Sequence, residues 1–322
     1  MKKRVSHFLF INILMLLVFA AAKAQYTPAF SQSTLNRMLL NPAHAGSLDA
    51  LEINALYRSQ YVAVANKAVS TQHLAFNMPI YAINSGVGLV VINDFIGYSR
   101  NTYFNVAYDY RLKLKFGTLN IGAGVGFIQS SLDGAKLRTP EGQYFSGINH
   151  NDVDVPATMQ NAIAPDFSFG INLSNKKYFA SVAINHIYSK LNFKSTTINI
   201  NRSFLVSGGY NFDLGKKITC TPTALIQTDF SRVQLQVSTF FSIYHNILTG
   251  IALRGYSNRS FDAAIMYVGA TFKGFRVLYS YDINTSYLRS FNTGSHEISL
   301  QYVMPMKRKE NKGNFYYNDR YL

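Results

Sequence analysis

Several short stretches of this chain contain residue types that can do chemistry. Ser295-His296-Glu297 brings together the hydroxyl, imidazole and carboxylate of a hydrolase relay. Gly122-Ala-Gly124-Val-Gly126 resembles part of a phosphate-cradling glycine loop. Asn149 to Asp154 places Asp152 and Asp154 where hard oxygen ligands could meet calcium. Cys220 is the single cysteine, a candidate nucleophile that can form no internal disulfide.

The elements that would carry these residues argue against each chemistry. Around the glycines every second residue is apolar, from Phe104 through Val106, Tyr108, Tyr110, Leu112 and Leu114 to Phe116. Asn105, Ala107, Asp109, Arg111, Lys113 and Lys115 lie between them. Such a period of two is that of a β-strand with one apolar and one polar face. After Gly117-Thr118 the pattern resumes, so Gly122, Gly124 and Gly126 lie within a strand and open no helix. Removing side chains from one strand face lets a plug or a partner backbone come close there, and Gly86 and Gly88 repeat the feature. In the Ser-His-Glu triplet, alternation sends His296 to the opposite face from Ser295 and Glu297, so no relay forms. The Asp152 and Asp154 stretch lacks the spacing of a calcium loop, and no histidines have zinc-ligand spacing. A strand cysteine reads as a wall residue. We therefore assign no catalytic, cofactor-binding or metal-binding residue.

The N-terminus indicates the compartment. Lys2, Lys3 and Arg4 precede the apolar run 8–22, and Ala22-Lys23-Ala24 forms an A-x-A cleavage site. Residues 1–24 therefore read as a secretory signal peptide cleaved before Gln25, with no cysteine there to accept a lipid. The run is short for a spanning helix, and none follows. Yet 48% of residues are apolar, with 22 Tyr and 24 Phe, while only 15% are charged. Ordinary soluble domains carry about 25% charge. Net charge is +15, or +11 without Lys2, Lys3, Arg4 and Lys23. In an exported protein that excess suits anionic head groups or a channel lining better than nucleic acid.

From about residue 49 the alternating segments number 14: 49–62, 70–79, 84–93, 101–116, 118–131, 163–173, 177–188, 198–213, 217–229, 232–242, 246–255, 259–272, 274–283 and 294–304. Many have the roughly 9–11 residues that a tilted strand needs to cross a bilayer. Connections after even-numbered segments are short, and every long one (132–162, 189–197, 284–293) follows an odd-numbered segment. Outer-membrane barrels sort their periplasmic turns and external loops in this way. The expected fold is all-β: an antiparallel transmembrane barrel over 49–304, with both termini periplasmic. Residues 25–48 form a lead-in or plug segment, and 305–322 form a basic periplasmic tail.

Three separated motifs carry a resemblance. They are Asn41-Pro42-Ala43-His44-Ala45-Gly46 followed by Arg58-Ser59-Gln60-Tyr61; Asn93-Asp94-Phe95-Ile96-Gly97; and Tyr281-Asp282-Ile283 followed by Gly294-Ser295-His296-Glu297-Ile298-Ser299-Leu300. In this order the chain resembles the PorP/SprF family of type IX secretion system outer-membrane proteins. The Asn-Pro-Ala lead-in is also similar to the hatch of FadL-like fatty-acid barrels. The family resemblance implies a non-enzymatic export component that binds or anchors secreted, adhesin-type cargo through the cargo's C-terminal domain. It also implies association with periplasmic ring and motor components and, in some bacteria, support of gliding motility. The alternatives are a FadL-like transporter of small hydrophobic molecules and a passive porin or structural barrel. The basic tail departs from the expected family ending.

Overall fold

In the computed structural model, residues 28–60, 69–152, 155–193, 197–256, 261–285 and 293–306 are described. The expected signal peptide, Tyr61, Asp154 and most of the basic tail lie outside them. Strands β1 (Ala50–Gln60), β2 (Val69–Ile80), β3 (Ser85–Ile96), β4 (Ser99–Leu114) and β5 (Gly117–Asp133) form the first wall. They are followed by β6 (Met159–Ser174), β7 (Tyr178–Asn185), β8 (Ser203–Tyr210), β9 (Ile218–Thr228) and β10 (Val233–Ile243). The last four are β11 (Ile247–Tyr256), β12 (Phe261–Phe272), β13 (Phe275–Asn284) and β14 (Ser295–Pro305). Each pairs antiparallel with its sequence neighbours, and Phe212–Asp213 briefly extends β8. β1 pairs with β14, from Ala50 opposite Pro305 to Ser59 opposite His296, and this closes a 14-strand barrel.

Closure leaves no sheet edge, so every strand can satisfy its backbone without water, as a bilayer requires. Side chains are distributed as in no soluble core. Leu74, Val106, Val125, Ile171, Ile251 and Val268 stand exposed on the outer face. Asn77, Asp109, Asn120, Asn172, Gln236 and Asp282 are buried inside. The outer face is thus apolar enough for lipid, while polar groups line the bore.

The bore is occupied. Ser31 lies among residues near the long-loop ends of β1, β11, β13 and β14, whereas Gly46 lies against Asn77 and Met78 at the short-turn end of β2. The lead-in segment therefore descends through the lumen before entering β1. Two short 3-10 turns, Arg37–Leu39 and Pro42–His44, shape its path.

One expected strand was too long. Residues 198–213 read as continuous, but β8 starts only at Ser203. Residues 190–192 and 197–199 instead pair as a small hairpin beside the mouth of the bore. Leu191 and Ile200, both buried, pack there with Phe30, Tyr103 and Ile128. Burying these apolar side chains outweighs extending β8. Within the expected external loop 189–197, residues 190–192 are accordingly held beside the lumen through Leu191.

Candidate functional site

The most elaborate arrangement in the bore grips Ser31 and Gln32. β1 carries Arg58 directly opposite Glu297 of β14, and both point inward because they share the polar strand face. Arg58 Nη1 lies 2.8 Å from Glu297 Oε2, and its Nη2 lies 2.8 Å from Asp282 Oδ2 on β13. Arg254 of β11 adds a second guanidinium, with Nη2 2.9 Å from the same Asp282 oxygen. Two cations thus meet two carboxylates, all at most 5% exposed, and the partly buried Asp262 lies 3.9 Å from Arg254 Nε. A lone buried charge would cost several kcal/mol, so each member depends on the others.

The lead-in segment completes the cluster. Ser31 N–H and Gln32 N–H donate to the two Glu297 carboxylate oxygens at 2.9 and 2.8 Å. Ser31 Oγ donates to Asp282 at 2.5 Å and accepts from Arg58 at 2.6 Å. Ser31 O accepts from Tyr267 OH at 2.7 Å and from Gln236 Nε2 at 3.0 Å. Gln32 reaches the Glu297 carbonyl at 3.1 Å and accepts from Ser299 Oγ at 2.5 Å. Charge-assisted bonds of this kind are stronger than neutral ones, and with the neutral bonds beside them they converge on two residues from five strands. What the arrangement does is hold: its carboxylates are saturated by ion pairs and N–H groups.

A second anchor uses the Asn-Pro-Ala motif. Asn41 Oδ1 accepts from Ala43 N–H at 2.8 Å, capping the Pro42 turn. Its Nδ2 donates to Ser181 Oγ at 2.7 Å and to the carbonyls of Ile171 and Val182 at 3.1 Å each. Ala43 presses its backbone on the wall: a Cβ on Gly122 would stand 2.5 Å from Ala43 Cα. A Cβ on Gly86 would meet the Ala45 carbonyl group, 2.8 Å from its carbon. At Gly88 the obstacle is only the flexible Met38 tip. Gly124 and Gly126 correct the expectation of plug approach. They face Asn105 and Ser168 side chains and the Phe104 backbone of flanking strands, because the segment crosses the wall below them. Gly46 has φ +61° and receives a hydrogen bond to its carbonyl from Arg111.

The other motif residues shape strand ends. Asn93 Oδ1 accepts from Thr102 Oγ1 at 2.8 Å, and buried Asp94 accepts from Thr71 at 2.7 Å. Gly97 has φ +61° in the tight β3–β4 turn, while Gly294, φ +104°, lies against the Asp282 carbonyl. Ser59 and Gln60 end β1, half-buried. His296 faces outward and meets Tyr279 OH at 2.7 Å, away from Ser295 and Glu297. Asp152 is solvent-exposed and Cys220 is half-buried in β9. Sequence reasoning had not singled out Ser31, Gln32, Gln236, Arg254 or Tyr267. An ionisable residue on an inward strand position, as at Arg254, was the available signal.

His44 supplies a pH-sensitive element in the lead-in segment. Burial, reinforced by nearby Arg37, lowers its imidazole to about 3. A released segment takes up a proton near 6.5, whereas the docked one does not. Docking is therefore fully favoured above that value and weakens as pH falls from there toward 3. Limited proteolysis should cut the lead-in segment faster at about pH 5 than at neutral pH, through the imidazole's uptake of a proton. His44→Asn should reduce that pH difference.

A closed antiparallel barrel with an apolar exterior and a polar, occupied bore defines an integral outer-membrane β-barrel protein. Residues 22–302 match the family described as type IX secretion system membrane protein PorP/SprF, and the chain belongs to that family. It is thus an outer-membrane component of type IX secretion. None of the curated proteins matches the chain. Among solved structures it is similar to the Ralstonia pickettii toluene transporter TbuX, at 9% identity and TM-score 0.51, covering 83% of this chain and 93% of that one. The CymD monoaromatic hydrocarbon channel matches at 11% identity and TM-score 0.50, covering 89% and 95%. A Pseudomonas aeruginosa FadL homologue matches at 11% identity and TM-score 0.47, covering 88% and 96%. The TbuX and CymD likenesses show the barrel fold alone.

Proposed function

We propose that this barrel is a plugged docking post that holds a secreted protein at the cell surface through that protein's C-terminal domain. The observation that carries this reading is the latched bore. A barrel whose lumen is occupied by its own chain, fixed by a buried ion cluster, works through its rims. Passage of a small apolar molecule would require Ser31 and Gln32 to leave Glu297 and Asp282. Held cargo of the adhesin type would provide surface attachment and, in gliding cells, traction.

The long loop between β5 and β6 suits the cargo side. Gln143 and Asn149 bridge to make a finger, with His150 bonded to Tyr144 at 3.0 Å and Arg138 stacked 4.4 Å over the Tyr144 ring. The finger presents Phe145, fully exposed, with Ile148 beside it. An aromatic on a braced loop has the character of an interface anchor. In cells producing both proteins, Phe145→Ala should shift about tenfold more cargo into the medium, as loss of such an anchor does. Unchanged retention, at equal surface levels of folded barrel, would contradict the assignment.

A further inference from the structure

The short-turn end carries a feature that neither the ion cluster nor the loop finger uses. The turns β4–β5, β6–β7 and β8–β9 are joined by hydrogen bonds into one ledge. Phe116 O accepts from Asn175 Nδ2 at 3.0 Å and from Tyr178 OH at 3.2 Å. Asn175 Oδ1 caps its own turn, accepting from Lys177 N–H at 2.8 Å and Tyr178 N–H at 2.9 Å. Asn211 of the next turn donates to the carbonyls of Lys177 at 2.6 Å and Lys176 at 3.2 Å.

The ledge is strongly basic. It displays Lys113, Lys115, Lys176, Lys177, Lys216 and Lys217, all exposed, against the single carboxylate of Asp213. Among the described residues no ion pair neutralises these lysines. Lys113, Lys115, Lys176 and Lys177 also line an open cleft of about 470 Å³, together with Phe116, Thr118 and Asn175. Such a clustered set of exposed cations, on turns joined by hydrogen bonds, concentrates positive potential.

We propose that this cleft docks an acidic segment of a periplasmic protein. Two sources of negative charge meet the inner rim of an outer-membrane barrel: phospholipid head groups and proteins. Strand alternation favours protein. Lys113 shares the face of Arg111, which turns inward to bond the lead-in segment at Gly46, while Leu112 and Leu114 take the lipid side. A cation on the inner strand face, beside the mouth of the bore, is directed away from head groups. The inference rests on the outer-membrane orientation in which short turns face the periplasm, and deepens the reading of the barrel as a two-rimmed post.

Photo-crosslinking in growing cells tests it. Phe116 lines the cleft with an exposed ring, and only its backbone carbonyl ties the turns, so p-benzoylphenylalanine can replace it. Phe272, exposed near another turn, is the control position. At Phe116 the expected product is a protein adduct whose crosslinked peptide is rich in Asp and Glu. The adduct should fall about tenfold when Lys113, Lys115, Lys176 and Lys177 are all changed to Glu, because charge reversal both removes attraction and adds repulsion. Four Lys→Gln changes should give an intermediate loss. Adducts at Phe272 should be insensitive to these changes. A folded barrel giving only lipid adducts, no adduct, or a protein adduct indifferent to charge reversal would overturn the proposal. Cargo retention measured in the same cells separates this failure from failure of the loop-face assignment.

Discussion

Arg58→Ala should release the lead-in segment from the bore. The change removes the cation that contacts both Asp282 and Glu297, at 2.8 Å each, and leaves Arg254 as the guanidinium bonded to Asp282. Glu297 then stays buried with only neutral N–H donors. Stranding a buried charge in this way costs about 3–5 kcal/mol. The wall itself keeps its backbone ladder, since β1 and β14 pair through ten successive positions. The cheaper response is for Ser31 and Gln32 to withdraw and for water to reach the carboxylates. The expected result is a barrel that still resists unfolding in cold detergent but whose segment around Ser31 is cut by protease at least tenfold faster, as roughly 1.4 kcal/mol per tenfold step requires. Glu297→Gln keeps shape and one acceptor, so its effect should be smaller. Equal protection in wild type and Arg58→Ala would remove the cluster from the account.

The second large effect is expected at Gly122. A Cβ there would lie 2.5 Å from both Ala43 Cα and Pro42 C, and backbone cannot yield as a side-chain tip can. Overpacking of this sort typically costs about 1–3 kcal/mol. Gly122→Ala should therefore dislodge the Asn41–Gly46 stretch and break the Asn41 bonds to Ser181, Ile171 and Val182. Gly208→Ala is the matched control, because its nearest neighbour would stand 3.3 Å away. Cysteine labelling at position 43 should be fast in the Gly122 variant and slow in the control. Comparable slow labelling in both would mean that the wall tolerates the methyl group.

The contrast between these two sites shows what sequence could convey. Strands were legible because a barrel wall between lipid and a polar bore imposes period two on nearly every strand. The polar face of Asp109 followed from that parity alone, as did the separation of His296 from Ser295 and Glu297. Gly122 and Gly86 were readable as gaps in the wall, but which gap the segment crossed was not, so Gly124 and Gly126 were grouped with them. Partners across the lumen were equally hidden. Arg254 and Asp282 sit on β11 and β13, separated by β12, and alternation says nothing of which inward residues meet over the bore. The pairing of 190–192 with 197–199 escaped because Ile198 and Ile200 continue the alternation of β8. Only the tertiary choice to bury Ile200 against Phe30 separates it from the wall.

The central claim is that the bore is closed by the chain's own lead-in segment and that the protein works through its rims. Ion conductance of the purified barrel in planar bilayers tests this most directly. The wild-type protein should be silent, and Arg58→Ala and Gly122→Ala should each give steady open-pore currents. Steady wild-type conductance, unchanged in either variant, would contradict the claim.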